Sequence, residues 1–219
     1  MQSRRVFHTA MRALEDDLIA MTDLAGNALV AAVAALVDRD EATARDVIAG
    51  DERLNGLWTD LERAGLTLIA TQSPMAVDLR EIVAITHIAT DLERVGDHAK
   101  SIAVAALALA GEAPLGMNVG IERMAELANE LLRAELDAFI RRDGELAQQT
   151  ALRDNEIDQL YHRVYRDLLE RMVRDPACID RAQRLLTVAK SLERIGDHVT
   201  NIGEYVVFLT TGRLVELNQ

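Results

Sequence analysis

An all-α fold of two tandem three-helix bundles is predicted, on three observations. Ile85, Ile88, Leu92, Val95, Ala99 and Ile102 follow one another at spacings of 3, 4, 3, 4 and 3. Leu185, Val188, Leu192, Ile195, Val199 and Ile202 repeat the same seam, and that spacing is the apolar stripe of a bundle helix. The stretch 92–98, Leu-Glu-Arg-Val-Gly-Asp-His, returns 100 residues later as Leu-Glu-Arg-Ile-Gly-Asp-His, so a unit has been duplicated. Finally, 49% of the 219 residues are hydrophobic but only 3% aromatic. The apolar residues are mostly Ala, Leu, Val and Ile, a mix suited to close-packed helices.

Taken in order, a first helix over about 5–38 carries Met11, Leu14, Leu18, Met21, Ala25 and Ala28 at helical spacing. Asp38-Arg-Asp-Glu41 is the turn. A second helix over about 41–72 has Leu54, Leu57, Leu61 and Leu68 on one stripe, is weakened by Gly56 and Gly65, and ends at Ser73-Pro74. The third spans about 76–110. Glycines and a proline in 111–119 place the boundary there, giving a first bundle over 1–111, a linker over 112–118 and a second bundle over 119–219. In the second half Met124, Leu127, Arg142-Asp143 and Asp154 answer Met21, Leu24, Arg39-Asp40 and Asp51 at an offset of 103. The final helix matches at 100, and a shorter connection near Asp175-Pro176 absorbs the difference.

Composition narrows the function. A net charge of −12 leaves no basic footprint for a nucleic-acid backbone and favours cations or basic partner surfaces. A single cysteine, Cys178, rules out an intramolecular disulfide, and the first residues read as no secretory signal, so the expected compartment is the cytosol. The apolar runs 28–37 and 103–110 fall well short of the roughly 20 residues that cross a bilayer.

Each repeated motif sets two acids four residues apart, Glu93 with Asp97 and Glu193 with Asp197. On a helix each pair stacks on one face, where like charges are destabilising. Stepping 100° per residue from the Leu92/Val95 seam puts Glu93 roughly 130° and Asp97 roughly 170° from the core direction, so the acids are expected to face outward, with Asn201 continuing the second row. Gly96 and Gly196 sit in mid-helix, at a cost of about 1 kcal/mol relative to Ala, which suggests close approach of a neighbouring helix or a bound group. The second helices supply partners: Asp154 and Asp158 in the second half, Asp51 and Asn55 in the first. If second and third helices are adjacent, Asp154, Asp158, Glu193 and Asp197 form an oxygen-rich cluster suited to hard divalent cations, iron or manganese. Read blandly, the same acids are solvated surface or partners of Arg53, Arg94 or Arg194. His98 and His198 lie off the acid row and read as flanking hydrogen-bonders; His162 is an outside candidate.

No catalytic group emerges. None of the five histidines has Glu three residues before it, as a ferritin-like di-iron oxidase requires, and no glycine-rich phosphate loop is present. Cys178 and the aromatics Trp58, Tyr161 and Tyr165 read as packing.

With these motifs the chain resembles the PhoU family of phosphate-uptake regulators. The resemblance rests on Asp91-Leu-Glu-Arg-Val-Gly-Asp-His98, on Leu192-Glu-Arg-Ile-Gly-Asp-His198 and on Gln72-Ser-Pro-Met-Ala-Val-Asp-Leu-Arg80. Asp154-Asn-Glu-Ile-Asp158 and Tyr205-Val-Val-Phe-Leu-Thr-Thr-Gly-Arg213 extend it, and it covers nearly the whole chain. It implies two bundles with pseudo-twofold symmetry in a cytosolic protein peripheral to the membrane, with homodimerisation. It also implies divalent or iron-type metal (iron, manganese, zinc or magnesium) on Glu93, Asp97, Glu193 and Asp197, with Asp51, Asp154 and Asp158 from the second helices. Asn55 and Ser191 depart from the acidic pattern, and Asn55 weakens the first-half site. The implied function is non-enzymatic: an adaptor between the ATPase subunit of the phosphate ABC transporter and a sensor histidine kinase. The alternatives are a metal-storage or redox protein and a metal-free helical scaffold.

Overall fold

Asp40 and Asp143 open helices in the same way in the two halves. Asp40 Oδ1 accepts from the backbone N–H groups of Ala42 (2.9 Å) and Thr43 (3.2 Å), and Asp143 Oδ1 from those of Glu145 (3.1 Å) and Leu146 (3.0 Å). Such caps satisfy amides that a helix start leaves unpaired and contribute about 1 kcal/mol each. The residues before them, Arg39 and Arg142, adopt left-handed φ values of 59° and 53°, and there the chain reverses.

The computed structural model describes residues 2–115 and 118–217. Its helices are α1 (Gln2–Asp38), α2 (Glu41–Gln72), α3 (Val77–Leu109), α4 (Asn118–Arg141), α5 (Gly144–Ala151), α6 (Asp154–Arg174) and α7 (Ile179–Thr211), with a 3-10 turn at Pro176–Cys178 before the last. The first half follows expectation, and α2 runs unbroken through Gly56 and Gly65. The second half differs: its middle helix is interrupted at Leu152 and Arg153. Bonds of the i→i+3 type tighten the chain there, from Arg153 N–H to Thr150 O (3.0 Å) and from Glu156 N–H to Arg153 O (2.9 Å). The Arg153 side chain ties the turn across to Glu130 of α4 at 2.7 Å. Of the expected linker, Glu112–Leu115 is irregular and α4 begins at Asn118; 116 and 117 lie outside the described residues.

α3 packs on α1, α2 and α7, while α7 packs on α3, α4, α5 and α6. Every residue of both predicted seams is buried, and one continuous core spans the two halves. Over Arg4–Asp38 α1 has the length and composition of a membrane span, which counting uninterrupted apolar runs overlooks, yet half of that apolar window is buried in the protein. Polar ties also cross between halves. Arg142 pairs with Glu81 of α3 and, at 3.5 Å, with Glu15 of α1, and Arg80 donates to Leu209 O at 3.4 Å.

The glycine prediction holds at Gly96: a Cβ there would overlap Leu54 of α2. Glu135 of α4 is a feature the sequence reading missed. It is fully buried, neither carboxylate oxygen has a hydrogen-bond partner, and burial pushes its pKa up to about 9. Gly203 makes room for it, since a Cβ there would stand 2.7 Å from Glu135 Oε1. The repeat-equivalent pair is Ala32 and Ala103, and nothing in apolar periodicity announces the exchange.

Two predictions follow from this packing. Gly96→Ala should destabilise the chain by about 1–3 kcal/mol in urea denaturation despite alanine's better helix propensity, and combining it with Leu54→Ala should cost less than the sum of the two. For Glu135, the unfolded chain ionises near the ordinary carboxylate range while the folded chain holds its proton to about pH 9. Stability is therefore fully present at low pH and falls as pH rises through that window, by about 1.4 kcal/mol per pH unit. Glu135→Met should flatten the pH profile and be more stable than wild type at pH 8 by roughly 2 kcal/mol.

Candidate functional site

In the second half Asp154 lies within electrostatic reach of Asp158, Glu193 and Asp197. Asp154, the first residue of α6, is 5% exposed and its Oδ1 occupies the space where a Cβ on Gly196 of α7 would stand. Burial, and after it the charges of Asp158, Asp197 and Glu193, push its pKa up to about 7, with the Thr200 hydroxyl offsetting a little. Asp158 is raised by burial and then by Glu193 and Asp197, and His162 lowers it slightly. Asp154 Oδ1 and Glu193 Oε2 are buried without a hydrogen-bond partner, a state that costs about 1–3 kcal/mol per group. Cations from α7 itself answer the remaining charge: Lys190 binds Glu193 Oε1, and Arg194 Nη1 lies 3.1 Å from Asp197 Oδ2.

The first half repeats this layout with a cation built in. Lys100 Nζ stands 2.8 Å from Asp51 Oδ2 and Asn55 Nδ2 donates to the same oxygen at 3.2 Å. Asp51 Oδ1 and Glu93 Oε2 have no hydrogen bond, though Arg94 Nε lies 3.4 Å from the latter. Burial, then Asp97, raises the pKa of Glu93, with Asp51 adding to it and Arg94 opposing. Arg94 Nη1 pairs with Asp97 Oδ2 at 3.1 Å. The repeat-equivalent of Lys100 is Thr200, so Asp154 receives no lysine.

The expected outward orientation of the acids needs correcting. The side chains of Glu93 and Glu193 are only 12% and 15% exposed; Asp97 and Asp197 reach 40% and 25%. The angular estimate measured direction from a single seam, but α2 and α6 cover a second face of α3 and α7. The acids point away from the central seam into a flanking helix interface.

Asn201 does not continue the acid row either. Its Nδ2 donates to Asp91 Oδ1 across the seam at 3.2 Å, and His198 Nδ1 lies 2.9 Å from the same oxygen. His198 is thus the expected flanking hydrogen-bonder, and its ring centroid is 5.6 Å from that of His98. Burial, with His198 next, lowers the pKa of His98. Asp91 had no assigned role; the mismatch with Ser191 was the available signal.

Among the described residues, no three His, Cys, Asp or Glu side chains stand together as a ready ligand set. The donors nonetheless suit a hard cation: all are carboxylate oxygens, four of them buried without a hydrogen bond. Lys and Arg side chains occupy the charge such an ion would neutralise.

Comparison with known proteins agrees with this architecture. The family model described as the PhoU domain matches residues 18–106 and 121–206, one copy in each half. A phosphate-specific transport system accessory protein PhoU homolog from Caulobacter vibrioides is 42% identical over 91% of this chain and 87% of its own. The Clostridium acetobutylicum homolog is 35% identical over 99% of both. Among solved structures, PhoU from Pseudomonas aeruginosa superposes with a TM-score of 0.90 at 34% identity, covering 94% of this chain and all of that one. The phosphate transport system regulatory protein PhoU from Streptococcus pneumoniae gives 0.89 at 29% identity, covering 95% and 99%. Duplicated motif, shared seam and matched domains together make this chain a member of the PhoU family.

Proposed function

We propose that this protein is a non-enzymatic regulator of phosphate transport that couples the ATPase subunit of a phosphate ABC transporter to a sensor histidine kinase. The observation that carries the reading is full-length similarity to proteins named as accessory or regulatory components of phosphate transport. An acidic chain of this kind acts by presenting surfaces, and its −12 charge suits basic partner faces. Its working place is the cytoplasm, peripheral to the membrane through its partners, with a homodimer as the candidate assembly.

In this reading Asp154, Asp158, Glu193 and Asp197 hold a divalent or iron-type ion, and Asp51, Glu93 and Asp97 form the weaker counterpart. Such an ion would supply positive charge among carboxylates of α6 and α7: Asp154 would have to be deprotonated to hold it, and Glu193 and Asp197 would have to share their charge between it and Lys190 and Arg194. Tying the two helices together would set the shape offered to partners. A metal-free scaffold is the second reading, favoured by the ion pairs of Lys100, Lys190, Arg94 and Arg194 with these same acids.

Elemental analysis of protein purified without chelators separates the two. The metal reading expects bound metal in the wild type and its loss in the double variant Glu193→Ala, Asp197→Ala; equal metal content in both would falsify it. Because protons and metal compete for Asp154, added Mn2+ should raise the Tm more at pH 8 than at pH 5.5. For the regulatory role, affinity purification from cells grown in high phosphate should recover the transporter ATPase and the kinase. Recovery of neither, in high or low phosphate, would overturn it.

A further inference from the structure

The two halves differ at the central seam in a way that leaves one binding place filled and its counterpart open. On one side His198 Nδ1 and Asn201 Nδ2 converge on the carboxylate of Asp91 at 2.9 and 3.2 Å. The repeat-equivalents of His198 and Asp91 are His98 and Ser191. These two do not meet through a carboxylate. They line an open cavity of about 350 Å³ together with Tyr161, Thr187, Lys190 and Arg194. The chain supplies its own anion to the first-half position and only a hydroxyl to the second.

The cavity walls fit the missing charge. Lys190 replaces Thr90 and Thr187 replaces His87 at equivalent positions, so a lysine ammonium stands where the first half has a hydroxyl, and a hydroxyl where it has an imidazole. The described lining carries two cationic side chains and no acid, although acidic residues outnumber basic ones by 36 to 24 in the chain. Tyr161 holds the lysine in place, with Nζ 5.4 Å from the ring centroid. Lys190 is engaged with Glu193, and Arg194 with Asp197 at 3.1 Å and Glu193 at 3.9 Å, but an ammonium has three donors and a guanidinium five, so both retain donors for a further acceptor.

We propose that this cavity binds a small free oxyanion, held by Lys190 and Arg194 with hydrogen bonds from Ser191, Thr187 and His98, as the external counterpart of the Asp91 carboxylate. The site adjoins the carboxylate cluster, since Lys190 and Arg194 also pair with Glu193 and Asp197, but it is built without a metal ion. Calorimetric titration of the full chain with inorganic phosphate in metal-free buffer tests it. Saturable one-site binding is expected, weakened at least about tenfold by Lys190→Gln, the scale of a lost charge-assisted hydrogen bond. Ser191→Asp, which copies the first half's own arrangement, should abolish binding while leaving the thermal midpoint unchanged or raised. Should that variant fail to fold, Lys190→Gln carries the test alone. Absence of saturable phosphate binding by the wild type overturns the proposal, as does undiminished binding by either folded variant.

Discussion

The closeness of α2 to α3 and of α6 to α7 is the constraint on which the site depends. At Gly96 and Gly196 the central helices lack a side chain, and Leu54 or Asp154 lies in the space so left. A helix with alanine there would hold its neighbour further out, and the acids on the adjoining turn would stay hydrated. Glycine's conformational cost is thus offset by packing, and the same packing buries Glu93, Glu193, Asp51 and Asp154. The raised pKa values of Glu93 and Asp154 follow from that desolvation.

Duplication produced two similar frames, and later substitutions gave them opposite electrostatic states. In the first half Lys100 neutralises Asp51 and Asp91 satisfies His198, so cation and anion are both covalently part of the chain. In the second half Thr200 and Ser191 stand at those positions, and the pKa of Asp154 is raised to about 7. Both halves keep buried carboxylate oxygens without a hydrogen bond, but only the first answers its second-helix acid with a lysine. Unsatisfied groups are where external ligands gain most, because binding removes a cost already present in the free protein.

Much of this was legible in the sequence. The 3-4 spacing located α3 and α7, the turn at 38–41 separated α1 from α2, and mid-helix glycines announced close approach. The adjacency of second and third helices that the acid spacing assumed is present in α2 with α3 and α6 with α7. What failed was direction. A helical wheel knows one apolar stripe, whereas α3 and α7 each contact at least three helices, so Glu93 is buried on a face the wheel assigns to solvent. Glu135 was missed for a different reason: it is an acid within the apolar stripe that Leu131, Leu132, Ala138 and Phe139 form on α4. The break at Leu152 has no proline or glycine to signal it and is set by the tertiary reach of Arg153 to Glu130.

The seam between α3 and α7 joins residues about a hundred positions apart in the chain. On the ribosome, α1 to α3 are complete long before α7 emerges, so the nascent first half carries one face of α3 without its cover. His87, Asp91 and His98, which meet Tyr205, Asn201 and His198 of α7, and the apolar residues beside them wait in contact with water until the last thirty or so residues arrive. Late closure of so large an apolar face makes the C-terminal helix the step that ends the chain's exposure to aggregation during synthesis, and a chain truncated before it would be a client for chaperones rather than a smaller working protein.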